Sequence, residues 1–270
     1  VVRAVPSRRH SAPEICSVSI PRIQMCDGGP TFSRVSQGLA SSAGWGMDAD
    51  AMARFVESGL DVGVTTLDTA AIYGGGRSET LLGDALATRP GLRDRLEIVT
   101  KCGIGTFGTS FPHYDAGRPA ILASVDESLR RLRTDRVDVL LIHRPSPLLD
   151  ADEAADAFEH LRDAGKVLHF GVSNFTPSQF ELLASRLDFP LVTNEIQFSP
   201  LHLDAYHDGT LDQCQRLRVS PMAWAPLGGG RLFRGDSDQI LRVRDELAAA
   251  GAELDGASVD QVALAWVIRH

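Results

Sequence analysis

The sequence predicts an α/β fold built on a parallel sheet and folded as one domain. Short apolar runs rich in β-branched residues recur after residue 60, and segments with helical periodicity lie between them. No stretch rich in Pro, Gly or Ser divides the 270 residues. A strand followed by a helix, repeated along the chain, is the pattern of parallel βα units.

Seven strands are predicted. Several are nearly continuous apolar stretches, as expected for strands that are covered on both faces. An eight-stranded barrel would need one more strand beyond residue 270. The first strand is predicted at residues 34–40, and the other six at residues 64–68, 96–102, 137–143, 167–173, 191–197 and 219–225.

The segments between the strands carry the apolar stripes of helices that pack against a sheet. One stripe lies within residues 81–86, with Ser78 as the predicted N-cap. Two more lie within residues 122–132 and 154–161, and the second of these is predicted to end at Gly165.

The two ends of the chain have their own predictions. Residues 1–14 are interpreted as a flexible N-terminal extension, which leaves residues 15–270 as the single domain. Residues 16–20 and 22–25 are predicted to form a small hairpin around Pro21. Residues 259–269 are predicted to form a helix after the seventh strand.

The amino-acid composition limits which classes of partner the protein is expected to bind and predicts its cellular compartment. The formal net charge of −8 argues against a nucleic-acid partner. No apolar run is long enough to cross a membrane, and no secretory signal is found, so a cytoplasmic location is expected. The four cysteines form no CxxC pair and no zinc spacing, which predicts free thiols; they are Cys16, Cys26, Cys102 and Cys214.

Polar side chains stand at the ends of five consecutive predicted strands that are otherwise apolar, and an aromatic residue lies near the end of the seventh. Any one of them taken alone is better explained as a strand-end cap or a solvated surface group. Five consecutive strands with such an end favour a shared site, because the carboxyl ends of parallel barrel strands hold active sites. The residues are Asp68, Lys101, His143, Ser173 with Asn174, Gln197 and, near the end of the seventh strand, Trp224.

Tyr73 lies five residues after Asp68, in the loop that follows the second strand. It is either a packing tyrosine or a phenol placed over the site. A phenol with its ordinary pKa of ~10 is a slow proton donor at neutral pH unless a nearby cation lowers that pKa. Lys101 is the candidate cation, Asp68 is its candidate partner, and His143 is a candidate for orienting a carbonyl oxygen.

Two glycine-rich segments need separate interpretations. Residues 103–108 fit G-x-G-x-x-G, but Pro and Gly residues intervene before the next helical pattern, so a dinucleotide fingerprint is disfavoured. This segment is interpreted as a flexible loop that walls the substrate pocket. Gly228, Gly229, Gly230 and Arg231 follow the seventh strand, as either a plain turn or a backbone cradle for a pyrophosphate, and that position favours the cradle.

The motifs, taken in order, resemble those of the aldo-keto reductase family from about residue 32 to residue 270. Such a resemblance implies a (β/α)8 TIM barrel. The segments that carry it are LDTAAIYG at 67–74, SETLLG at 78–83, VTK at 99–101, DVLLIHRP at 138–145, GVSNF at 171–175, Asn194 with Gln197 and SP at 199–200, and AWAPLGGG at 223–230.

The resemblance implies a role for each candidate residue. Tyr73 is expected to be the general acid, Lys101 and Asp68 the pair that tunes it, and His143 the residue that orients the substrate. Ser173, Asn174 and Gln197 are expected to hold the nicotinamide carboxamide, with Trp224 stacked on its ring. The other expected cofactor-binding residues are Ala225, Leu227, Gly228 and Arg231, with backbone contacts from Leu227 and Gly228 to the pyrophosphate.

The implied cofactor is NADPH, with NADH as the alternative. Family members continue with an eighth strand and a basic loop that grips the 2′-phosphate, so the sequence is expected to be C-terminally incomplete. The small residues of the 38–42 loop imply an open pocket. No metal is expected, and the sequence carries no signal for oligomeric state.

The leading hypothesis is hydride transfer from NADPH to a small-molecule aldehyde or ketone. The alternative is a catalytically weak, NADPH-binding regulatory or sensor protein on the same barrel, and the intact set of four candidate catalytic residues argues against it. A metal-dependent barrel hydrolase is a weaker hypothesis, because His143 is the one histidine at a strand end.

Overall fold

The computed structural model describes residues 19–105 and 111–269. The predicted extension at residues 1–14 lies outside the described residues. Within the described part of the chain, no helix combines the length and the apolar character needed to cross a membrane. Cys26, Cys102 and Cys214 are free thiols, as predicted.

The strands form one seven-stranded parallel sheet and two small hairpins. The sheet has the order β11-β10-β9-β8-β5-β4-β3, so its strands follow one another along the chain as predicted. Such a curled parallel sheet, covered by helices, is the arrangement of a (β/α)8 barrel. The strands are β1 (Arg22–Gln24), β2 (Thr31–Ser33), β3 (Gln37–Gly38), β4 (Thr66–Asp68), β5 (Glu97–Cys102), β6 (Ile104–Gly105), β7 (His113–Tyr114), β8 (Val137–Ile142), β9 (Val167–Ser173), β10 (Leu191–Gln197) and β11 (Met222–Trp224).

Ten α-helices occur in the described part of the chain, and the first five of them pack on the outer face of the sheet. The helices predicted from the three apolar stripes are confirmed, as is the helix after the seventh strand. The two helices between β11 and α10, α8 and α9, were not predicted. The helices are α1 (Ala49–Asp61), α2 (Arg77–Ala87), α3 (Arg118–Leu132), α4 (Ala151–Asp163), α5 (Pro177–Ala184), α6 (Asp204–His207), α7 (Thr210–Leu217), α8 (Arg231–Arg234), α9 (Asp238–Glu253) and α10 (Val259–Arg269).

Local sequence sets the ends of these helices. The Asp150 side chain accepts hydrogen bonds from the first turn of α4, and Gly165 ends this helix with a φ of 69°. The Ser78 prediction is wrong, because α2 begins at Arg77 after Gly76, whose φ of 87° turns the chain into the helix. Ser78 therefore lies buried in the first turn.

Two apolar layers hold the barrel together. The outer layer lies between sheet and helices, where Phe158 of α4 stacks on Phe170 of β9 at 4.4 Å between ring centroids. The inner layer includes Val99, Val139 and Leu141, and Met25 and Phe32 from the N-terminal hairpin pack against it. The hairpin therefore covers the amino ends of the strands.

The predicted register of that hairpin is wrong. Strand β1 pairs antiparallel with β2, not with residues 16–20, of which 16–18 lie outside the described part. The turn falls later, at residues 25–30, where Met25 N–H donates to the Pro30 carbonyl at 2.9 Å. Gly28 supplies the positive φ, 72°, that this turn needs.

Candidate active site

Three of the predicted residues meet around one buried ammonium group. Lys101 Nζ lies 2.5 Å from Asp68 Oδ1 and 3.3 Å from the Tyr73 hydroxyl oxygen. It also donates to the Thr69 carbonyl at 3.0 Å. The lysine side chain is 1% exposed. A charge so deeply buried is stable only with partners of opposite charge and hydrogen bonds.

The loop that carries Tyr73 is anchored to β5 before it enters α2. Thr69 N–H donates to the Val99 carbonyl at 2.9 Å, and Ala71 N–H donates to the Lys101 carbonyl at 3.1 Å. Gly74 and Gly75 then adopt φ values of 59° and 67°, which side chains other than glycine rarely tolerate. The tyrosine therefore sits on a short, fixed loop directly above the lysine strand.

His143 completes the predicted group at the end of β8. Its ring meets the Tyr73 ring edge-on, at 5.7 Å between centroids and an angle of 81°. Burial first, and then the nearby charges of Lys101 and Arg144, lower the pKa of His143 to about 3. The imidazole is therefore neutral at neutral pH, and its ring N–H can donate a hydrogen bond to a carbonyl oxygen.

The pKa of Tyr73 moves in the direction opposite to the sequence prediction. Burial raises it to about 12, and the attraction of Lys101 opposes this rise without reversing it. Asp68 and Glu195 add to the rise because a second negative charge beside them is unfavourable. Tyr73 is therefore held as a protonated phenol next to an ammonium group.

Glu195 is a member of this cluster that the sequence analysis missed. Its Oε2 lies 3.2 Å from Lys101 Nζ, and its side chain is 4% exposed. Burial disfavours a charge on Lys101, but the attraction of Asp68 and Glu195 together outweighs burial and raises the pKa of Lys101. The signal was an acidic residue inside an otherwise uncharged buried strand, which requires a cationic partner.

The residues expected to hold the carboxamide form a hydrogen-bonded row at the ends of β9 and β11. Trp224 Nε1 donates to Asn174 Oδ1 at 2.9 Å, and Asn174 Nδ2 donates to Ser173 Oγ at 2.7 Å. Ser173 Oγ in turn donates to the Glu195 carbonyl at 3.0 Å. Asn174 has a φ of 61°, which turns its amide back over the strand end.

Gln197 is placed differently from Ser173 and Asn174. It ends β10 in register with Trp224, and it does not contribute to the wall of the cavity described below. Its role in holding a carboxamide stays a prediction.

The glycine run after β11 forms a tight turn. Gly228, Gly229 and Gly230 have φ values of 64°, 63° and 82°, and Gly228 N–H donates to the Ala225 carbonyl at 2.8 Å. The positive φ of Gly228 disfavours a larger residue there, and a Cβ would also approach the end of the Leu201 side chain to 2.9 Å. Arg231 Nε donates to the Gly228 carbonyl at 3.2 Å and so braces the turn. The part of Leu227 and Arg231 in binding a pyrophosphate stays a prediction.

A cavity of about 830 Å³ runs along the inside of the sheet. Its wall includes Asp68, Tyr73, His143 and the hydrogen-bonded row, together with apolar side chains of the N-terminal hairpin. Trp45, in the segment after β3, also lines it, so that side of the pocket carries an aromatic ring that the 38–42 loop did not predict. The lining residues used below are Asp68, Tyr73, His143, Arg144, Ser173, Asn174, Glu195 and Trp224.

The G-x-G-x-x-G segment does not open a helix. Strand β6 pairs antiparallel with β7, and α3 begins only at Arg118. Among the described residues of the 103–117 loop, none lines the cavity. Within residues 19–105 and 111–269, no group of three or more His, Cys, Asp or Glu side chains is placed to hold a metal ion.

Comparison with known proteins agrees with this arrangement. A model of the aldo/keto reductase family matches residues 34–270. The chain is 53% identical over 253 residues to the oxidoreductase YdhF of Escherichia coli, covering 93% of this chain and 84% of that protein. It is 46% identical over 234 residues to a 6-dehydroglucose reductase of Agrobacterium fabrum, and the match covers 83% of this chain and 77% of that protein.

Two solved structures share the fold. One is the glycerol dehydrogenase of Gluconobacter oxydans, with a TM-score of 0.78 and 27% identity over 94% of this chain and 84% of that one. The other is a thermostable aldo-keto reductase in complex with the inhibitor epalrestat. Its TM-score is 0.74, and it is 27% identical over 92% of this chain and 85% of that one.

Proposed function

The chain belongs to the aldo/keto reductase family and is an NAD(P)H-dependent oxidoreductase, and on that premise we propose that it reduces an aldehyde or ketone with NADPH, using Tyr73 as the general acid. The observation that carries the proposal is the buried Lys101 ammonium, 3.3 Å from the Tyr73 hydroxyl oxygen. Tyr73 lines the cavity as the proposed proton donor, and the buried Lys101 beside it is the cation that would stabilise its conjugate base.

The residues of the cavity wall fit a nicotinamide carboxamide. The Ser173 hydroxyl and the Asn174 amide both donate and accept, as a carboxamide requires, and the Trp224 indole fixes the orientation of that amide. Trp224 also offers a flat aromatic face on which a nicotinamide ring would stack. The glycine turn at residues 228–230 stands at the barrel position where phosphates bind.

The chemistry that the bound cofactor supplies is hydride transfer to the carbonyl carbon. Tyr73 protonates the oxygen that becomes negative in that step. Its phenol keeps its proton until then, because its pKa is about 12, and an alkoxide is basic enough to take it. The phenolate left behind faces Lys101, whose positive charge is maintained by Asp68 and Glu195.

His143 assists this step as a neutral hydrogen-bond donor. Its ring stands edge-on to Tyr73, so a carbonyl oxygen held between them receives hydrogen bonds from both. Because the pKa of His143 is lowered to about 3, the imidazole does not compete with Tyr73 as the acid.

Replacing Tyr73 tests the proposal. We expect Tyr73→Phe to lose at least about 100-fold in kcat, because the general acid is removed. NADPH affinity should be unchanged. The measurement is NADPH oxidation, followed by absorbance, with 4-nitrobenzaldehyde and a panel of sugar and polyol-derived carbonyl compounds. Tyr114→Phe is the matched control, since Tyr114 lies half exposed on β7 and should keep full activity.

Two outcomes contradict the proposal. Full activity in Tyr73→Phe would exclude this residue as the acid. Tight NADPH binding by the wild-type chain with no turnover on the whole panel would favour the cofactor-binding sensor instead.

A further inference from the structure

Glu195 is a second carboxylate at Lys101, in addition to Asp68. Lys101 Nζ lies 2.5 Å from Asp68 Oδ1 and 3.2 Å from Glu195 Oε2. The ammonium carries one positive charge, so two carboxylates face one cation here. Glu195 also lines the cavity, where its negative charge can act on a positively charged group that enters.

A bulge in β10 brings Glu195 to this place. Between Leu191 and Asn194 the register of β10 against β9 shifts by one residue. Val192 packs in the inner core, and without the shift Glu195, three residues later, would face the other side of the sheet. Because Glu195 is in register with Ser173, its carboxyl group lies beside the residue proposed to hold the carboxamide.

The charged groups around Glu195 come from three elements. Asp68 on β4 and Tyr73 in the loop after it face the carboxyl group, as do Lys101 on β5 and Arg144 after β8. From the flanking strands it meets Ser173 of β9 and Met222 of β11, which are both uncharged. Burial first, and then the repulsion of Asp68, raise the pKa of Glu195 to about 7, against the attraction of Lys101 and Arg144.

We propose that Glu195 makes cofactor binding depend on oxidation state, its carboxylate favouring the oxidised nicotinamide over the reduced one. The inference rests on the proposed function, which places the nicotinamide against Ser173 and Trp224. The oxidised ring carries a positive charge and the reduced ring carries none. In a buried site of low polarity, a carboxylate beside that ring distinguishes the two by about tenfold in affinity.

The sign of the pH dependence follows from linkage. The oxidised ring stabilises ionised Glu195 and so lowers its pKa, whereas the reduced ring leaves it near 7. The affinity for NADP⁺ therefore falls as the pH drops below about 7, because a proton must leave Glu195 before the ring binds well. The phosphates of the two cofactors are the same, so their own titration cancels in the ratio of the two dissociation constants.

The first test uses the wild-type chain. Isothermal titration calorimetry measures the Kd of NADPH and of NADP⁺ at about pH 6 and about pH 8. We expect the ratio of the Kd of NADPH to that of NADP⁺ to rise severalfold between the two values. This measurement requires no variant and does not depend on turnover.

The second test removes the charge. Glu195→Gln should weaken NADP⁺ about tenfold and NADPH less than about twofold, and should make the ratio independent of pH. Glu195→Asp, which keeps the charge, should restore part of the preference. Asp138→Asn is the control, because Asp138 is also a largely buried carboxylate paired with a cation, Arg93, but lies outside the cavity wall. Circular dichroism checks that each variant is folded.

The outcomes separate the two proposals. A wild-type chain that binds neither cofactor form would overturn the proposed function and this inference together. Binding of both forms with a ratio that is the same at both pH values and in Glu195→Gln would overturn the inference and leave the proposed function standing. Should Glu195→Gln fail to fold, the wild-type ratio and Glu195→Asp decide.

Discussion

At the scale of single residues, His143 shows how burial fixes a protonation state. The site holds it neutral beside Lys101 and Arg144, and its pKa falls from 6.5 to about 3. The unfolded chain binds a proton at this position near pH 6.5, whereas the folded chain does not. Below about pH 6.5 the extra proton therefore favours the unfolded chain. The free energy of unfolding falls as the pH is lowered through this range.

His143→Gln should remove this pH dependence. Between pH 7 and pH 5 we expect the wild type to lose up to about 2 kcal/mol more unfolding free energy than the variant, from 1.36 kcal/mol per pH unit below the unfolded pKa. Urea unfolding at both pH values measures it. His160→Gln, at an exposed position of α4, is the control and should behave like the wild type. Equal losses in wild type and His143→Gln would contradict the account.

Residue types and spacing identified most of the site, but not its electrostatics. Asp68, Tyr73, Lys101 and His143 were predicted, and the structure brings them together. The direction of the Tyr73 pKa was missed because the sequence shows which charges are present and not how much water is excluded. Glu195 was missed because the β10 bulge decides on which side of the sheet its side chain lies. No alternation pattern in the sequence marks that shift.

At the scale of elements, α2 and α3 brace the loop that carries Tyr73. Arg131 on α3 contacts Glu79 of α2 at 3.2 Å and donates to the Ala71 carbonyl at 3.4 Å. Glu79 is fully buried and accepts a hydrogen bond from Thr100 Oγ1 of β5 at 2.7 Å. The brace therefore connects two helices, the lysine strand and the tyrosine loop.

Arg131→Met should weaken both the fold and the catalytic loop. We expect the unfolding free energy to fall by about 1–3 kcal/mol, because Glu79 is left buried without its cation. Displacement of Tyr73 should lower kcat by at least about tenfold. Thermal unfolding and NADPH oxidation measure the two effects.

Arg130→Met is the matched control for this brace. Arg130 is the neighbouring residue on α3, and it pairs with Glu127 on the exposed face of the helix. Exposed pairs contribute little, so both readouts should stay close to the wild type. A similar response from the two arginines would show that the brace does not act on Tyr73.

At the scale of the whole molecule, the N-terminal hairpin and the barrel share one inner core. Phe32 of β2 is 1% exposed and packs with Met25 and with strand residues that include Val99 and Val139. We expect Phe32→Ala to lower the unfolding free energy by about 3–5 kcal/mol, because a fully buried ring leaves a cavity. Urea unfolding measures this loss.

Phe233→Ala is the control for the hairpin prediction. Phe233 lies on α8 and is 46% exposed, so its loss should cost much less. Equal costs at the two positions would mean that the hairpin is not part of the cooperative core.

The order of the seven barrel strands could be predicted because strands and helical segments alternate along the chain, and five consecutive strands are apolar runs ended by a polar residue. Strand β9 and strand β10 have the predicted bounds, whereas β3 and β11 are shorter than the predicted runs. The hairpin register was wrong because an isolated short strand has no periodicity to fix its partner. Helix α9 was not predicted, although Val243, Leu247 and Gly251 recur at helical spacing and the last two are buried.

The ammonium state of Lys101 has a consequence for chemical durability. Amines condense with aldehydes to form imines, but only in the unprotonated form. Of the 27 basic residues two are lysines, Lys101 and Lys166, and Lys166 is paired with Asp126 at 2.5 Å. Guanidinium groups stay protonated. A chain that handles reactive carbonyl compounds in a confined space thus presents them with few nucleophilic amines, and the two carboxylates around Lys101 protect its nitrogen from being consumed by its own substrate.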